Sequence, residues 1–241
     1  MIFIKNSLIK FFSKLLSNSN QGIDLNSDTV KWFNLSCAIL TEYQNEDFNI
    51  FGGIEKNETN KIKKLKMLDE AWDINDEAKA SSTIKWLVDK GGLRVEFTEI
   101  MTNLEFKGFS HCSEDEKLNV LIEIYELEHI EAISIVKCYE YYLKYGSKAI
   151  DAWDYSRAMS LLGMYYIADI YTLRETLNLA YSMAKQIQSK YKNWEDFFES
   201  YIMGFEYCYK KDDKVIREIY ERIKHHENFN INFKLKLERT W

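Results

Sequence analysis

The 241-residue chain contains no proline, where average usage of about 5% predicts about a dozen. Proline breaks helix interiors and marks turns and sheet edges in many β folds, so its absence suits long helices. The heavy use of Lys, Asn, Ile and Tyr points to an AT-rich coding genome, a second source of the deficit. Glycine is scarce too, at nine residues. The four cysteines, Cys37, Cys112, Cys138 and Cys208, form no CxxC. That argues against a clustered disulfide framework and predicts reduced thiols in the cytoplasm, used as small apolar side chains. No run of the ~20 apolar residues needed to span a bilayer occurs. Lys5, Lys10 and Lys14 interrupt the apolar start and no small-residue cleavage site follows, so no secretory signal is expected.

Other absences narrow the chemistry. There is no basic domain. Residues 1–66 carry 9 Lys against 7 acids, the remainder 23 basic against 31 acidic residues, and the formal net charge is −6. A nucleic-acid partner is therefore not expected, and a cationic protein partner is favoured. Gly52-Gly53 and Gly91-Gly92 lack the pattern of a phosphate loop, and no Gly-x-Ser-x-Gly elbow occurs. Glu126-x-x-His129 has the spacing of half a di-metal site, but no second Glu-x-x-His exists. His111-Cys112 has no further ligand at zinc spacing. Neither a metal nor a cofactor is expected.

What is present reads as helix. Apolar residues make up 46% and charged residues 29%, close to the globular norm, and a chain this long buries roughly 75% of its unfolded surface. Ile4, Leu8, Phe12 and Leu15 predict a basic amphipathic helix over 1–17. It either docks on its own domain or, through residues 2–16, touches a membrane surface. A polar linker follows. Further helices are predicted over 27–44, 59–73, 75–90, 114–145, 151–168, 172–191, 193–211 and 213–227. Lys61, Lys63, Lys64 and Lys66 spread around their helix and read as solvated surface. Ser113 with Glu116 forms a capping box. Residues 93–97 alternate apolar and charged, as a short strand or a helix entry. Phe229, Ile231, Phe233, Leu235 and Leu237 also alternate, which predicts a C-terminal strand with 93–97 as its obvious partner. The expected fold is mainly α: a single multi-helix globular domain over 25–241, with that short C-terminal strand.

Tryptophan precedes a carboxylate three times: Trp72-Asp73, Trp153-Asp154 and Trp194-Glu195. The middle case carries the most information. Asp154 and Arg157 stand three apart on a helix, and Trp153 and Arg157 four apart, so the guanidinium can lie against the indole. Such a pair either fixes helix packing or binds an anionic or planar ligand.

The run Ala152-Trp153-Asp154-Tyr155-Ser156-Arg157-Ala158 resembles the Trp-Asp-x-x-Arg signature of the bacterial domain-of-unknown-function family DUF1266. Asn193-Trp194-Glu195-Asp196-Phe197 and Tyr201-x-x-Gly204 are similar to its second signature. Trp32 to Leu40, Leu68-x-x-x-Trp72 and Leu87-x-x-x-Gly91 fit its opening helices. The resemblance covers about residues 25–210. It implies a mostly helical bacterial domain and brings no catalytic residues. The end, Asn228 to Trp241, departs from the family's proline-containing pattern.

Two function classes follow. The leading one is an interaction protein, motivated by the acidic stretch Glu114, Asp115, Glu116, Glu123, Glu126, Glu128 and Glu131, by 15% aromatic content and by the lack of a catalytic motif. Its concrete form is an immunity or antitoxin-like protein covering a cationic toxin. The other is a ligand-binding protein or enzyme with a site at Trp153, Asp154 and Arg157, joined by Trp72 and Asp73.

Overall fold

The computed structural model describes residues 23–210, 214–225 and 236–240. Helices begin where polar side chains can take up the orphan N–H groups of a first turn. Ser27 caps α1 (Asp28–Ser36), which breaks at Cys37 before α2 (Ala38–Tyr43). Asn57 caps α3 (Glu58–Trp72) and Asp76 caps α4 (Glu77–Lys85). A π-helical turn, Trp86–Lys90, extends α4 and leads into α5 (Arg94–Phe106). Ser113 and Glu116 form the expected capping box on α6 (Glu114–Glu123), ahead of α7 (His129–Tyr145). Next comes α8 (Asp151–Ile167). A second capping box, Thr172 with Glu175, opens α9 (Leu173–Lys190). Asn193 caps α10 (Trp194–Tyr209), and α11 is Lys214–His225.

α8 is the hub. Every residue on it except Arg157, Tyr166 is buried, the mark of a helix enclosed on all sides. α1, α2, α3, α4, the π turn, α9 and α10 all pack against it. The outer helices are one-sided. On α11 the buried residues are Ile216, Ile219, Tyr220 and Ile223, one stripe at helical spacing, and this helix lies against α2 and α10.

Several expectations need correction. Of the two readings of residues 93–97, the helix entry is the one found, since residues 94–97 are the first turn of α5, so no strand forms there for the chain end to pair with. Five alternating residues fit both periods, and the longer stripe decides: Phe97, Met101 and Leu104 are buried at helical spacing. The C-terminal strand falls largely on 226–235, outside the described residues. Of its positions, Leu237 is buried in irregular chain, where Gln188 on α9 donates to the Leu237 carbonyl at 2.7 Å and the Arg239 carbonyl at 3.1 Å. Among the described residues there is no strand. The helix expected over 1–17 also lies outside them.

The run 114–145 is two helices rather than one. A straight helix of that length would extend about 48 Å, well past the core. Instead Glu126 takes left-handed backbone, φ +56°, and α7 returns against α6. The lysines of α3 are not all solvated either. Lys64 is fully buried and donates to Glu46 at 2.6 Å, because it lies one turn before buried Leu68. No helix among the described residues is long and apolar enough to cross a membrane.

Candidate functional site

The Trp153–Arg157 turn of α8 gathers the elements singled out in the sequence. Both oxygens of Asp154, a residue with no exposed surface, are taken. Oδ1 accepts from Arg157 Nη2. Oδ2 accepts from the Gly92 N–H at 3.0 Å and pairs with Arg94 Nε at 3.0 Å. Arg94 also reaches Asp151 Oδ1 at 3.6 Å, and its Nη2 donates to the carbonyls of Leu87 and Val88. It thereby caps the π turn and ties it to α8. Lys190, at the end of α9, pairs with Asp151. Tyr155 receives the charges of Arg94 and Lys190 over its ring at 5.4 and 5.5 Å.

Arg157 lies between two indoles, 5.5 Å from the centre of Trp72 and 4.9 Å from that of Trp153. Trp72 is at the end of α3, so the sandwich crosses two elements. Trp153 packs in turn on Tyr201 of α10, centroids 5.1 Å apart. A side chain at Gly204 would overlap Trp153 Cβ, so glycine lets α10 cross α8 at contact distance. At Gly91, φ is +70° and a side chain would strike Arg94 and Asp154, which restricts this position to glycine twice over.

Electrostatically the cluster is closed. Burial pushes the Asp154 carboxyl up and outweighs the downward pull of Arg157, Arg94 and the Gly92 N–H, so the net direction is upward. Burial lowers the Arg94 guanidinium, and Asp151 and Asp154 outweigh it, so the net direction is upward. Asp154 has no exposed surface through which a substrate in solvent could reach its carboxylate. Among the described residues no hydrogen-bond partner reaches the buried Arg157 Nε, Trp153 Nε1 or Tyr201 hydroxyl, and Arg94 Nε meets Asp154 only as an ion pair.

The other sequence candidates sit elsewhere. Asp73 is exposed, closes α3 in left-handed backbone and pairs with Lys79 at 2.9 Å. Trp194 is buried against Trp32, centroids 5.0 Å apart, and stacks on Phe198. Sequence reasoning missed Arg94, Asp151 and Lys190. Only Arg94 left a signal: read as helix, it shares the inward face of Phe97 and Met101. Among the described residues, no group of three or more His, Cys, Asp or Glu could hold a metal ion. The best-defined cavity, about 10 Å³ beside Phe33, Cys37, Thr41 and Glu46, has room for about one water.

A second region leaves several of its carboxylates open to solvent. The stretch from Glu105 to Glu131 carries eight carboxylates against two lysines. Phe106, at the end of α5, is 90% exposed, and Ile124 at the α6–α7 break is 70% exposed. Lys107 joins these two ends by donating to the Tyr125 hydroxyl at 2.7 Å, with its charge 4.9 Å from that ring's centre. Val95, eleven residues before Phe106 and on the same helix face, and Ile130 are exposed as well. Glu123, Glu126 and Glu128 are exposed, and no cation among the described residues lies within ion-pair distance of them.

A family model described as "Protein of unknown function (DUF1266)" matches residues 67–235, more than half of the chain. The match starts later than the resemblance read from the sequence and runs further toward the end. No curated protein and no solved structure matches the chain.

Proposed function

Because the chain belongs to the DUF1266 family, whose description names no activity, we propose a function from its surface chemistry: an interaction module that receives a basic segment of a partner protein on the α5–α7 face. One observation carries this reading. Phe106 stands almost fully in solvent at the end of α5, which Lys107 ties to Tyr125 at the α6–α7 break, where Glu123, Glu126 and Glu128 have no ion-pair partner among the described residues. A large exposed ring costs free energy in water and returns it when a partner covers it. The surrounding carboxylates speed the encounter with a cationic partner and select against an acidic one. In its concrete form the protein is immunity- or antitoxin-like and works in the cytoplasm against a cationic toxin. All four thiols being free accords with a reducing compartment.

Titration calorimetry with a lysine- and leucine-rich amphipathic peptide tests the proposal. The expected result is micromolar affinity, in the range of about −8 kcal/mol, that weakens steeply with salt. Phe106→Glu is expected to abolish it. Equal affinity in the wild type and in the variant would remove the α5–α7 face from the account.

A second reading, a ligand-binding site at Arg157, has its own observation in favour. Arg157 Nε, Trp153 Nε1 and the Tyr201 hydroxyl are buried donors without acceptors among the described residues, and an oxygen-bearing anion supplies acceptors. Tryptophan fluorescence titrated with inorganic phosphate tests it. A saturable change lost in Arg157→Met supports it, and a flat titration ends it.

A further inference from the structure

Resting on the ligand-site reading above, we infer that the ligand taken at Arg157 is an aromatic carboxylate: a flat apolar body carrying a single negative charge. The charge follows from the buried cluster. Closed around Asp154, it is not balanced. Arg94, Arg157 and Lys190 face Asp151 and Asp154, three cations against two carboxylates, and none of the five side chains is more than 29% exposed. Glu96, the first carboxylate of α5, is exposed and accepts from Tyr207 at 3.2 Å instead. One further negative charge neutralises the cluster, and buried charges are tolerated when paired. A dianion overshoots.

The carboxylate follows from the donors left over. Trp153 touches both other members of the group: the Arg157 guanidinium lies 4.9 Å from its ring centre and the Tyr201 ring 5.1 Å. Around this one indole, Arg157 Nε, Trp153 Nε1 and the Tyr201 hydroxyl have no acceptor among the described residues. Trp153 and Tyr201 are 3% and 1% exposed, and donors so buried are ordinarily satisfied. A carboxylate offers about four lone-pair sites on its two oxygens, enough for all of them. The aromatic body follows from the rings that border these donors on the solvent side. Tyr209, half-exposed at the end of α10, has its ring centre 6.1 Å from that of Trp153. Trp86, also half-exposed, meets Arg157 Nη2 over Gly92, where a side chain would overlap both. These rings give a flat apolar body surfaces to stack on. A free phosphate has no such body, and must shed its hydration shell for the same donors.

Titration calorimetry on the full chain with benzoate, benzamide and inorganic phosphate tests the inference. Benzoate is expected to bind roughly tenfold or more tighter than phosphate, because its ring adds apolar burial to the same ionic contact. Benzamide, its uncharged analogue, is expected not to bind. Tyr201→Phe removes one donor and no hydrogen bond among the described residues. It should weaken benzoate roughly tenfold while the melting temperature stays at the wild-type value. Because Arg157→Met also loosens Asp154, Tyr201→Phe is the decisive variant. Saturable phosphate binding with benzoate no tighter overturns the inference and leaves the ligand-site reading standing. Equal binding of benzamide and benzoate overturns it too, since charge then plays no part. Benzoate binding that is unchanged in Tyr201→Phe takes the buried donors out of the site and overturns it as well. A flat phosphate titration ends the ligand-site reading and the inference together.

Discussion

The turn around Asp154 and the face around Phe106 are built from the same residue types, aromatic rings and carboxylates with a few cations, and put them to opposite use. At Asp154 each oxygen meets a guanidinium or an N–H, and the rings enclose the guanidinium. At Phe106 the ring stands in solvent, and Glu123, Glu126 and Glu128 have no cation among the described residues. A buried carboxylate without partners costs several kcal/mol, so the first arrangement must be completed within the chain. An exposed carboxylate is solvated and can wait for one. Residue type alone does not separate a packing device from a recognition surface; enclosure does.

The contrast can be broken most strongly at Arg94. Arg94→Met strips Asp154 and Asp151 of a shared cation and uncaps the π turn, and is expected to cost about 3–5 kcal/mol in urea unfolding at neutral pH. Arg157→Met leaves Asp154 with Arg94 and the Gly92 N–H, so a smaller loss of about 1–3 kcal/mol is expected. An Arg157→Met protein as stable as wild type would shift weight to the ligand reading. At Gly204, alanine forces α10 away from Trp153, at about 1–3 kcal/mol, and a crystal structure of the variant should show that helix displaced.

On the open face the effect on stability nearly vanishes. Glu123→Lys, Glu126→Lys, Glu128→Lys together should leave thermal melting unchanged, since these exposed groups have no ion-pair partner among the described residues. The same triple change should abolish binding of a cationic peptide.

The smallest effect sharpens the comparison from between the two extremes. Asp169 is half-exposed, with Lys56 and, at 2.8 Å, Lys61 as partners. Hydrogen bonds from Lys56 and Lys61 hold its carboxyl below the ordinary range. A depressed carboxylate stabilises the fold above its unfolded value of about 3.9, and that contribution disappears as pH falls through the lower folded value. Asp169→Asn should therefore melt slightly below wild type at pH 7, with the gap closing near pH 2. A gap that persists in acid would mean the pair does not stabilise through its charge.

Local patterns carried the helices. Ser113 with Glu116 marked the start of α6, Asn193 the start of α10, and the stripe of α11 was readable at helical spacing. The contact of Arg157 with Trp153 and Asp154 followed from positions three and four apart on one helix. These features depend on backbone geometry within a few residues, which sequence spacing encodes directly.

The partners of that turn came from elsewhere. Trp72, Gly92, Arg94 and the Asp151–Lys190 pair meet Asp154 and Arg157, or their neighbours, because α3, the π turn with the residues that follow it, and α9 pack on α8 while the first residue of α5 reaches in. Asp73, adjacent to Trp72, turned outward at a helix end. Lys64 was enclosed and Phe106 left in solvent, against the habit of both residue types. The amino-acid order determined which stretches coil and which stripe of each is apolar. How those stripes cross was settled by three-dimensional packing, where hydrophobic burial has no direction and each charge must find its counterion wherever neighbouring helices bring one.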